Sequence, residues 1–211
     1  MEKLKLSFKF IFINSFILFF IILSIKLTVS LKPLYYFDIN YLNIPEDSGF
    51  NTNDIKLNYN YLINFITSKN NINFNIPTLS SSPEGKIHFY EVKTLFTKID
   101  YLFYITSFIS LIGIYYCIKF KDFSIFKHVS RTLLLIPILL IIIFFINFHN
   151  AFNIFHKLLF NNNYWIFDIN KDPVIKMLPE RFFLHCAMAI NIFIIIFSLI
   201  STIIYKKNPN I

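Results

Sequence analysis

The connector FHKLLFNNNYWIFDINKDPVIKMLPERFF, residues 155–183, separates two long apolar runs of the chain. A plain link between two membrane helices needs only a few polar turn residues. This connector instead carries an imidazole, three carboxylates, a guanidinium and an indole, on His156, Asp168, Asp172, Glu180, Arg181 and Trp165. The sequence therefore predicts that the connector forms a site beside the membrane.

The partner predicted for this connector is SPEGKIHFYEVKTLF, residues 82–96. It opens with serine and proline, which is typical of a helix N-terminus. On such a helix Glu84, His88 and Glu91 share one face. A carboxylate beside an imidazole holds its tautomer and stabilises its protonated form, so the pattern fits a general base. It fits a solvated helix face equally well.

The helix that leads into the connector carries a pair of histidines. His149 and His156 share one face, because seven residues nearly complete two turns. His149 is expected near the outer membrane interface, with His156 about 10 Å farther out. An interfacial histidine is often only an anchor, but histidines on two helices beside acidic residues favour acid–base chemistry.

Other chemistries find less support in the residues. The chain has no HExxH motif and no close histidine pair with ligand spacing, so no metal site is predicted. It has no GxSxG motif, and neither Cys117 nor Cys186 stands in a setting that would make it a nucleophile. No cofactor is predicted. A metal-assisted membrane hydrolase using the histidines and the connector carboxylates stays open, as does a non-enzymatic sensor or assembly protein.

Composition sets the class of protein. The 211 residues are 55% hydrophobic and 19% aromatic, with 28 Phe and 3 Gly, and the mean hydropathy is +0.57. Such a chain is typical of a multi-pass membrane protein. The net charge of +8 does not indicate nucleic-acid binding, because the basic residues cluster at the ends of apolar runs.

The apolar runs predict four transmembrane helices, at residues 8–31, 100–118, 132–149 and 182–205. No cleavage site follows the first run, so an uncleaved anchor is predicted. Basic residues at the start (Lys3, Lys5, Lys9), in the loop 119–131 and at the end place both termini and that loop in the cytoplasm of a multi-pass cell-membrane protein. The polar segments 32–99 and 150–181 are then exoplasmic, and the spans show no paired charges that would suggest a transporter.

The segment 32–99 is predicted to form a small exoplasmic domain. Residues 54–69 repeat apolar side chains, among them Tyr59, at helical spacing, with Asn53 or Asp54 as the cap. Residues 71–79 alternate and predict a short strand. The expected fold is an all-α membrane protein with four transmembrane helices and a mostly helical outer domain that has at most one or two short strands.

The ordered polar residues of both stretches resemble a known family. The matching residues are His88 with Glu91-Val92-Lys93 and Leu95-Phe96, Phe155-His156, Trp165, Asp168, Asp172, Pro179-Glu180 and Phe182-Phe183, with a weaker echo at Asn58-Tyr59 and Leu62-Ile63. Their order, their spacing and the four-span layout resemble the lipoprotein intramolecular transacylases of low-GC Gram-positive bacteria, and the resemblance covers most of the chain.

This resemblance implies an acyltransferase that acts on diacylglyceryl-modified lipoproteins in the membrane. The sn-2 ester acyl group would pass to the free α-amino group of the N-terminal cysteine and leave a lyso-form lipoprotein. It implies His88 and His156 as the catalytic pair, one acting as base and the other, protonated, as acid or oxyanion partner. Supporting or substrate-binding roles are expected for Tyr59, Glu91, Trp165, Asp168, Asp172 and Arg181. Lipoproteins and membrane lipid are the expected partners, and nucleic acid is not.

Straight helices would hold the two histidines implied as catalytic apart. His88 would stand roughly 16 to 20 Å above its span and His156 only about 10 Å above its own. We therefore expect a break or tilt at residues 96–100. Imidazoles more than about 12 Å apart would exclude the pair.

Overall fold

The protein is described by a computed structural model over residues 2–70 and 72–208, with residues 2–6 described by their backbone only. Within these residues all regular structure is helical. The elements are α1 (Glu2–Ser30), α2 (Lys32–Tyr41), α3 (Ile44–Ser48), α4 (Thr52–Thr67), α5 (Pro83–Phe120), α6 (Ser124–Leu159), α7 (Val174–Met177) and α8 (Glu180–Lys207).

Four of these helices are long and apolar enough to cross a membrane: α1 from Ser7 onward, α5, α6 and α8. This confirms the predicted all-α membrane fold, since in lipid a spanning segment must satisfy its own backbone hydrogen bonds. The strand proposed at residues 71–79 is not found over 72–79, and Asn71 lies outside the described residues. The side chains of Lys3 and Lys5 also lie outside them.

The helices divide into two compact units. The first comprises α1 up to Thr28, Ile99–Ile143 and α8 from Met188. Its buried core includes Phe12, Phe16, Cys117, Ile125, Phe126, Val129, Leu133 and Ile194. Lys26 forms an ion pair with Asp100 in this unit, so the expectation that the spans hold no paired charges was wrong.

The second unit comprises Val29–Lys98 and Phe144–Ala187. Its core is aromatic, with the rings of Tyr35 and Tyr59 stacked at 3.7 Å between centroids and Phe182 edge-on to both. Both histidines implied as catalytic belong to this unit. The helical segments that carry these two histidines thus belong to the unit that is built around this core.

Two helix starts in the second unit follow from local side chains. Asn51 caps α4 by accepting a hydrogen bond from the backbone N–H of Asp54 at 2.8 Å, so the cap lies upstream of the predicted Asn53 or Asp54. Ser82 caps α5 through the N–H of Gly85 at 2.9 Å, with Pro83 as its first residue. This confirms the start predicted for the helix that carries His88.

The break expected at residues 96–100 is absent, because α5 is helical at every residue from Pro83 to Phe120. Helical geometry fails in α6 instead, at Asn147, with φ −165° and ψ 96°. The Asn147 side chain accepts from the backbone N–H of Asn150 at 2.9 Å, the contact of a helix N-cap. The segment that carries His156 therefore begins as a new, separately capped helix.

Candidate active site

The structure brings together the two histidines singled out from the sequence. The ring centroids of His88, on α5, and His156, on the last part of α6, lie 6.2 Å apart. This is within the limit of about 12 Å set above. His88 is only 6% exposed, whereas His156 is half-buried. A substrate atom between the two rings would be within reach of both.

Aromatic side chains enclose both imidazoles. Phe160 lies edge-on to His88 at 4.8 Å between centroids, and Phe167 does so at 5.5 Å. Trp165 stacks on His156 at 4.8 Å. These rings shield His88 from water and cover part of His156, and in a drier setting hydrogen bonds and charges act more strongly than in water.

A backbone hydrogen bond sets the tautomer of His156. Its Nδ1 lies 2.8 Å from the carbonyl oxygen of Phe152. A carbonyl only accepts, so Nδ1 must carry the proton and donate it. The other ring nitrogen, Nε2, then holds the lone pair. His156 is thereby prepared as a proton acceptor.

Glu91 stands behind His88 without bonding to it. Its Oε2 lies 4.0 Å from His88 Nδ1, beyond hydrogen-bond range. Both atoms are buried, and neither has a hydrogen-bond partner among the described residues. The other carboxylate oxygen, Oε1, accepts from the Asn162 amide at 2.6 Å. The carboxylate favours a proton on Nδ1 of His88 and leaves Nε2 as an acceptor there too.

Burial lowers the pKa of both histidines. Desolvation, reinforced by the nearby His156, lowers the pKa of His88 to about 4. Desolvation also lowers the pKa of His156, opposed by its hydrogen bond to the Phe152 carbonyl. Both residues lie outside the spans predicted at 100–118 and 132–149. Burial thus favours the neutral form of both imidazoles before substrate binds.

Asp172 is buried and anchors the start of α5. Its carboxylate accepts from the Ser82 backbone N–H at 2.8 Å and from the Ser82 hydroxyl at 2.6 Å. A negative charge is favourable at a helix N-terminus. Gly85 makes room for it, because a Cβ there would lie 2.2 Å from Asp172 Oδ1. Asp172 therefore holds the helix that carries His88.

The remaining predicted residues lie in different surroundings. Trp165 joins the histidines through its stack on His156. Tyr59 packs in the aromatic core of the second unit. Asp168 is exposed and accepts from the Asn170 backbone N–H at 3.0 Å, which shapes the turn before Asp172. Arg181 is exposed at the start of α8 and forms no ion pair with residues 7–70 or 72–208.

Some residues of the site escaped the sequence analysis. Asn162 stands in a run of three asparagines that resembles compositional drift, and no sequence signal distinguishes it. Phe160 was foreseeable, because it follows His156 by one helical turn. Phe167, which also packs against His88, follows no such periodicity.

Two other histidines pair with carboxylates away from this site. His149 Nδ1 lies 2.8 Å from Glu180 Oε2 on an exposed face. His185 Nδ1 lies 2.8 Å from Asp38 Oδ1, and Asp38 is fully buried. Within the described part of the chain, no group of three or more His, Cys, Asp or Glu side chains is arranged to hold a metal ion.

A groove of about 380 Å³ adjoins the site on the side of Glu91 and Phe160. Apolar and polar side chains both line it, and Lys98, two residues before the predicted span, is among them. The residues that line it include Ile87, Tyr90, Thr94, Leu95, Leu159 and Asn161. The groove thus reaches two residues, Glu91 and Phe160, that lie beside His88.

Comparison with known proteins finds a family model and solved structures that match this chain. The family model of the lipoprotein intramolecular transacylase Lit matches residues 10–183. The solved structure of the membrane integral lipoprotein intramolecular transacylase Lit from Bacillus cereus matches with a TM-score of 0.95 at 38% sequence identity, covering 98% of this chain and 96% of that one.

Two further structures of the Bacillus cereus protein carry a histidine replaced by arginine or by alanine. Each matches with a TM-score of 0.88 at 37% identity over 98% of this chain, covering 92% and 94% of the respective solved chains. Comparison with curated proteins finds no significant match.

Proposed function

This chain belongs to the lipoprotein intramolecular transacylase family, and we propose that His88 and His156 together perform the proton transfers of its reaction. The enzyme is an integral membrane acyltransferase. It transfers an acyl group from the sn-2 ester of a diacylglyceryl-cysteine lipoprotein to that lipoprotein's N-terminal α-amino group. The product is the lyso-form lipoprotein.

The proton balance of this reaction calls for two acceptors. An α-ammonium that becomes an amide nitrogen gives up two protons, and the departing glycerol oxygen takes one of them. The second proton leaves for the solvent. Two neutral imidazoles, each with Nε2 as an acceptor and 6.2 Å apart, match this requirement. That separation is the observation that carries the proposal.

We assign the first proton to His156. Nε2 of His156 removes it from the substrate ammonium, which frees the nitrogen lone pair for attack. His156 is half-buried, so it can return this proton to water between turnovers. Its Nδ1–H stays bonded to the Phe152 carbonyl, which keeps the ring in place while Nε2 is loaded.

We assign the second proton to His88. As the nitrogen–carbon bond forms at the sn-2 carbonyl, Nε2 of His88 takes the second proton from that nitrogen. The imidazolium faces Glu91 Oε2 at 4.0 Å and lies beside the oxyanion, so opposite charges on both sides stabilise it. When the sn-2 carbon–oxygen bond breaks, His88 gives its proton to the departing glycerol oxygen.

Because nucleophile and ester belong to one molecule, positioning supplies much of the acceleration. We propose that the groove lined by Ile87, Leu95 and Leu159 receives an acyl chain of the substrate, since its aliphatic wall leads from the level of Lys98 to Glu91 and Phe160. The other predicted residues would then support the reaction indirectly: Tyr59 through the core, Asp168 through the turn, Asp172 by anchoring α5, and Arg181 at the surface of α8.

The test uses a host that accumulates diacylglyceryl lipoproteins with free N-termini. Wild type, His88→Ala, His156→Ala and the matched control His128→Ala, an exposed histidine, are expressed at equal levels. Mass spectrometry of the N-terminal lipopeptide is expected to find the N-acyl monoacylglyceryl product with wild type and the control only. Product from both active-site variants would remove the proposed catalytic pair.

We further propose that both termini face the cytoplasm and that the site lies on the exoplasmic side of the cell membrane. The basic residues at Lys119, Lys121, Lys127, Arg131 and Lys206-Lys207 support this orientation. Reporter fusions after residues 125 and 207 should read as cytoplasmic and an insertion after residue 163 as external. An external signal from the fusion after residue 207 would contradict the proposed topology.

A further inference from the structure

Asn162 contacts the supports of both histidines at once. Its side-chain amide donates to Glu91 Oε1 at 2.6 Å. Its side-chain oxygen accepts from the Tyr164 backbone N–H at 3.0 Å. Its main-chain oxygen accepts from Nε1 of Trp165 at 3.2 Å. One residue thus fixes a carboxylate, a turn and an indole ring.

Each of these supports leads to one imidazole. Glu91 presents its second oxygen to His88 Nδ1 at 4.0 Å, and Trp165 stacks on His156 at 4.8 Å with an interplanar angle of 26°. The chain of contacts therefore runs from His88 through Glu91, Asn162 and Trp165 to His156. The loop turn alone would need only the bond to Tyr164, so the amide bond to Glu91 is an additional constraint.

We propose that Asn162 is a positioning residue, which sets the distance and orientation between the two imidazoles by binding Glu91 and Trp165 together. The inference rests on the proposed function of His88 and His156 and adds a residue to it. Asn162 itself does not exchange protons with the substrate. Its loss should lower kcat, because misplacing acid–base groups slows the chemical step, and should leave KM nearly unchanged.

The donor and the acceptor of the hydrogen bond between Glu91 and Asn162 can be exchanged by substitution, which tests the inference. Asn162→Asp keeps the acceptor for Tyr164 but faces Glu91 with a second carboxylate. Glu91→Gln removes the acceptor charge. In the double variant a glutamine amide can donate to an aspartate, while the glutamine oxygen still faces His88. The hydrogen bond is restored with the roles exchanged, and the pair keeps its single negative charge, now on residue 162 instead of residue 91.

Each single variant is expected to lower kcat by at least about tenfold. The kcat of the double variant should be at least about tenfold higher than that of the less active single variant. Asn163→Asp, an exposed neighbour in the same loop, is the matched control and should retain wild-type kcat. Effects that simply multiply in the double variant, or an unchanged kcat in Asn162→Asp, would overturn the inference.

The protein offers a second readout, because Trp165 is its one tryptophan. Its fluorescence reports on the stack with His156, and protonation of an adjacent imidazole quenches indole emission. Asn162→Ala keeps the main-chain bond to Trp165 but releases Glu91 and the turn at Tyr164. The backbone that holds the indole should then move and shift the emission and its pH dependence, whereas Asn163→Asp should cause no shift. Unchanged emission in a folded Asn162→Ala protein would also overturn the inference. If His88→Ala and His156→Ala form no product while Asn162→Asp is fully active, the inference about Asn162 is wrong and the proposed function still holds.

Discussion

Replacing Gly85 by alanine tests how Asp172 anchors the helix that carries His88. A Cβ at position 85 would lie 2.2 Å from Oδ1 and 2.8 Å from Cγ of Asp172, closer than any real contact. The Asp172 carboxylate must therefore leave its place and give up its hydrogen bonds to the Ser82 backbone N–H and hydroxyl.

The expected magnitude follows from those two bonds. A hydrogen bond to a charged group contributes about 1.5–3 kcal/mol, so losing two costs roughly 3–6 kcal/mol. Alanine is the better helix former by about 1 kcal/mol. The net loss in Gly85→Ala is then roughly 2–5 kcal/mol of unfolding free energy. For a chain of this size each kcal/mol lowers Tm by about 2–4 °C, so we expect a Tm roughly 4–20 °C below wild type.

The assay is thermal unfolding of the purified protein in detergent, with product formation measured at a temperature below all transitions. Asp172→Ala should lower Tm by a similar amount. Adding Gly85→Ala to Asp172→Ala should cause no further loss, because the carboxylate it displaces is gone. Glu84→Ala, an exposed neighbour on the same turn, is the control for alanine in α5. A Gly85→Ala protein that melts within about 2 °C of wild type, or a double variant with additive losses, would refute the reasoning.

Three further predictions concern protonation, helix geometry and the groove. A lowered pKa means that an imidazole stays neutral to lower pH, so initial rates should persist below the ordinary histidine pKa of 6.5 and fall only when the first of the two imidazoles is protonated; an acid limb at 6.5 or above would contradict this. Asn147→Ala removes the cap of the segment that carries His156 and should cost about 1 kcal/mol together with most of the activity, whereas Asn150→Ala, measured in the same melting and product assays, should cost less; equal effects would exclude the cap. Leu95→Trp fills the groove and should lower transfer of long acyl chains by about tenfold relative to short ones, measured as product chain length by mass spectrometry; an unchanged chain profile would exclude the groove as the acyl site.

Several features of the site were within reach of the sequence. Ser82 and Pro83 signal a helix start by local chemistry alone, and the structure begins α5 there. The spacing of His88 and Glu91 places both side chains on one helix face whatever the rest of the chain does. Local periodicity was therefore enough to select these residues, although it did not reveal their distance of 4.0 Å.

Other expectations failed because local patterns do not decide them. The break was expected in α5, yet the chain leaves helical geometry at Asn147 in α6, where a short polar side chain can replace a backbone partner as a cap. Paired charges were not expected in the spans, yet Lys26 meets Asp100. Residues 72–79 alternate like a strand but find no partner strand among the described residues, so they lie as a loop.

The sequence by itself determined the class of protein, the four long apolar helices and the two histidines that merited attention. It could do so because hydropathy and helical periodicity act over a few neighbouring residues, and because lipid leaves an apolar run little choice but to form a helix. Only the tertiary structure decided that the two imidazoles meet, that Asp172 occupies the space beside Gly85, and that Asn162 joins Glu91 to Trp165. These contacts join residues far apart in the chain, and they depend on how whole side chains pack and satisfy one another's hydrogen bonds, which no local pattern specifies.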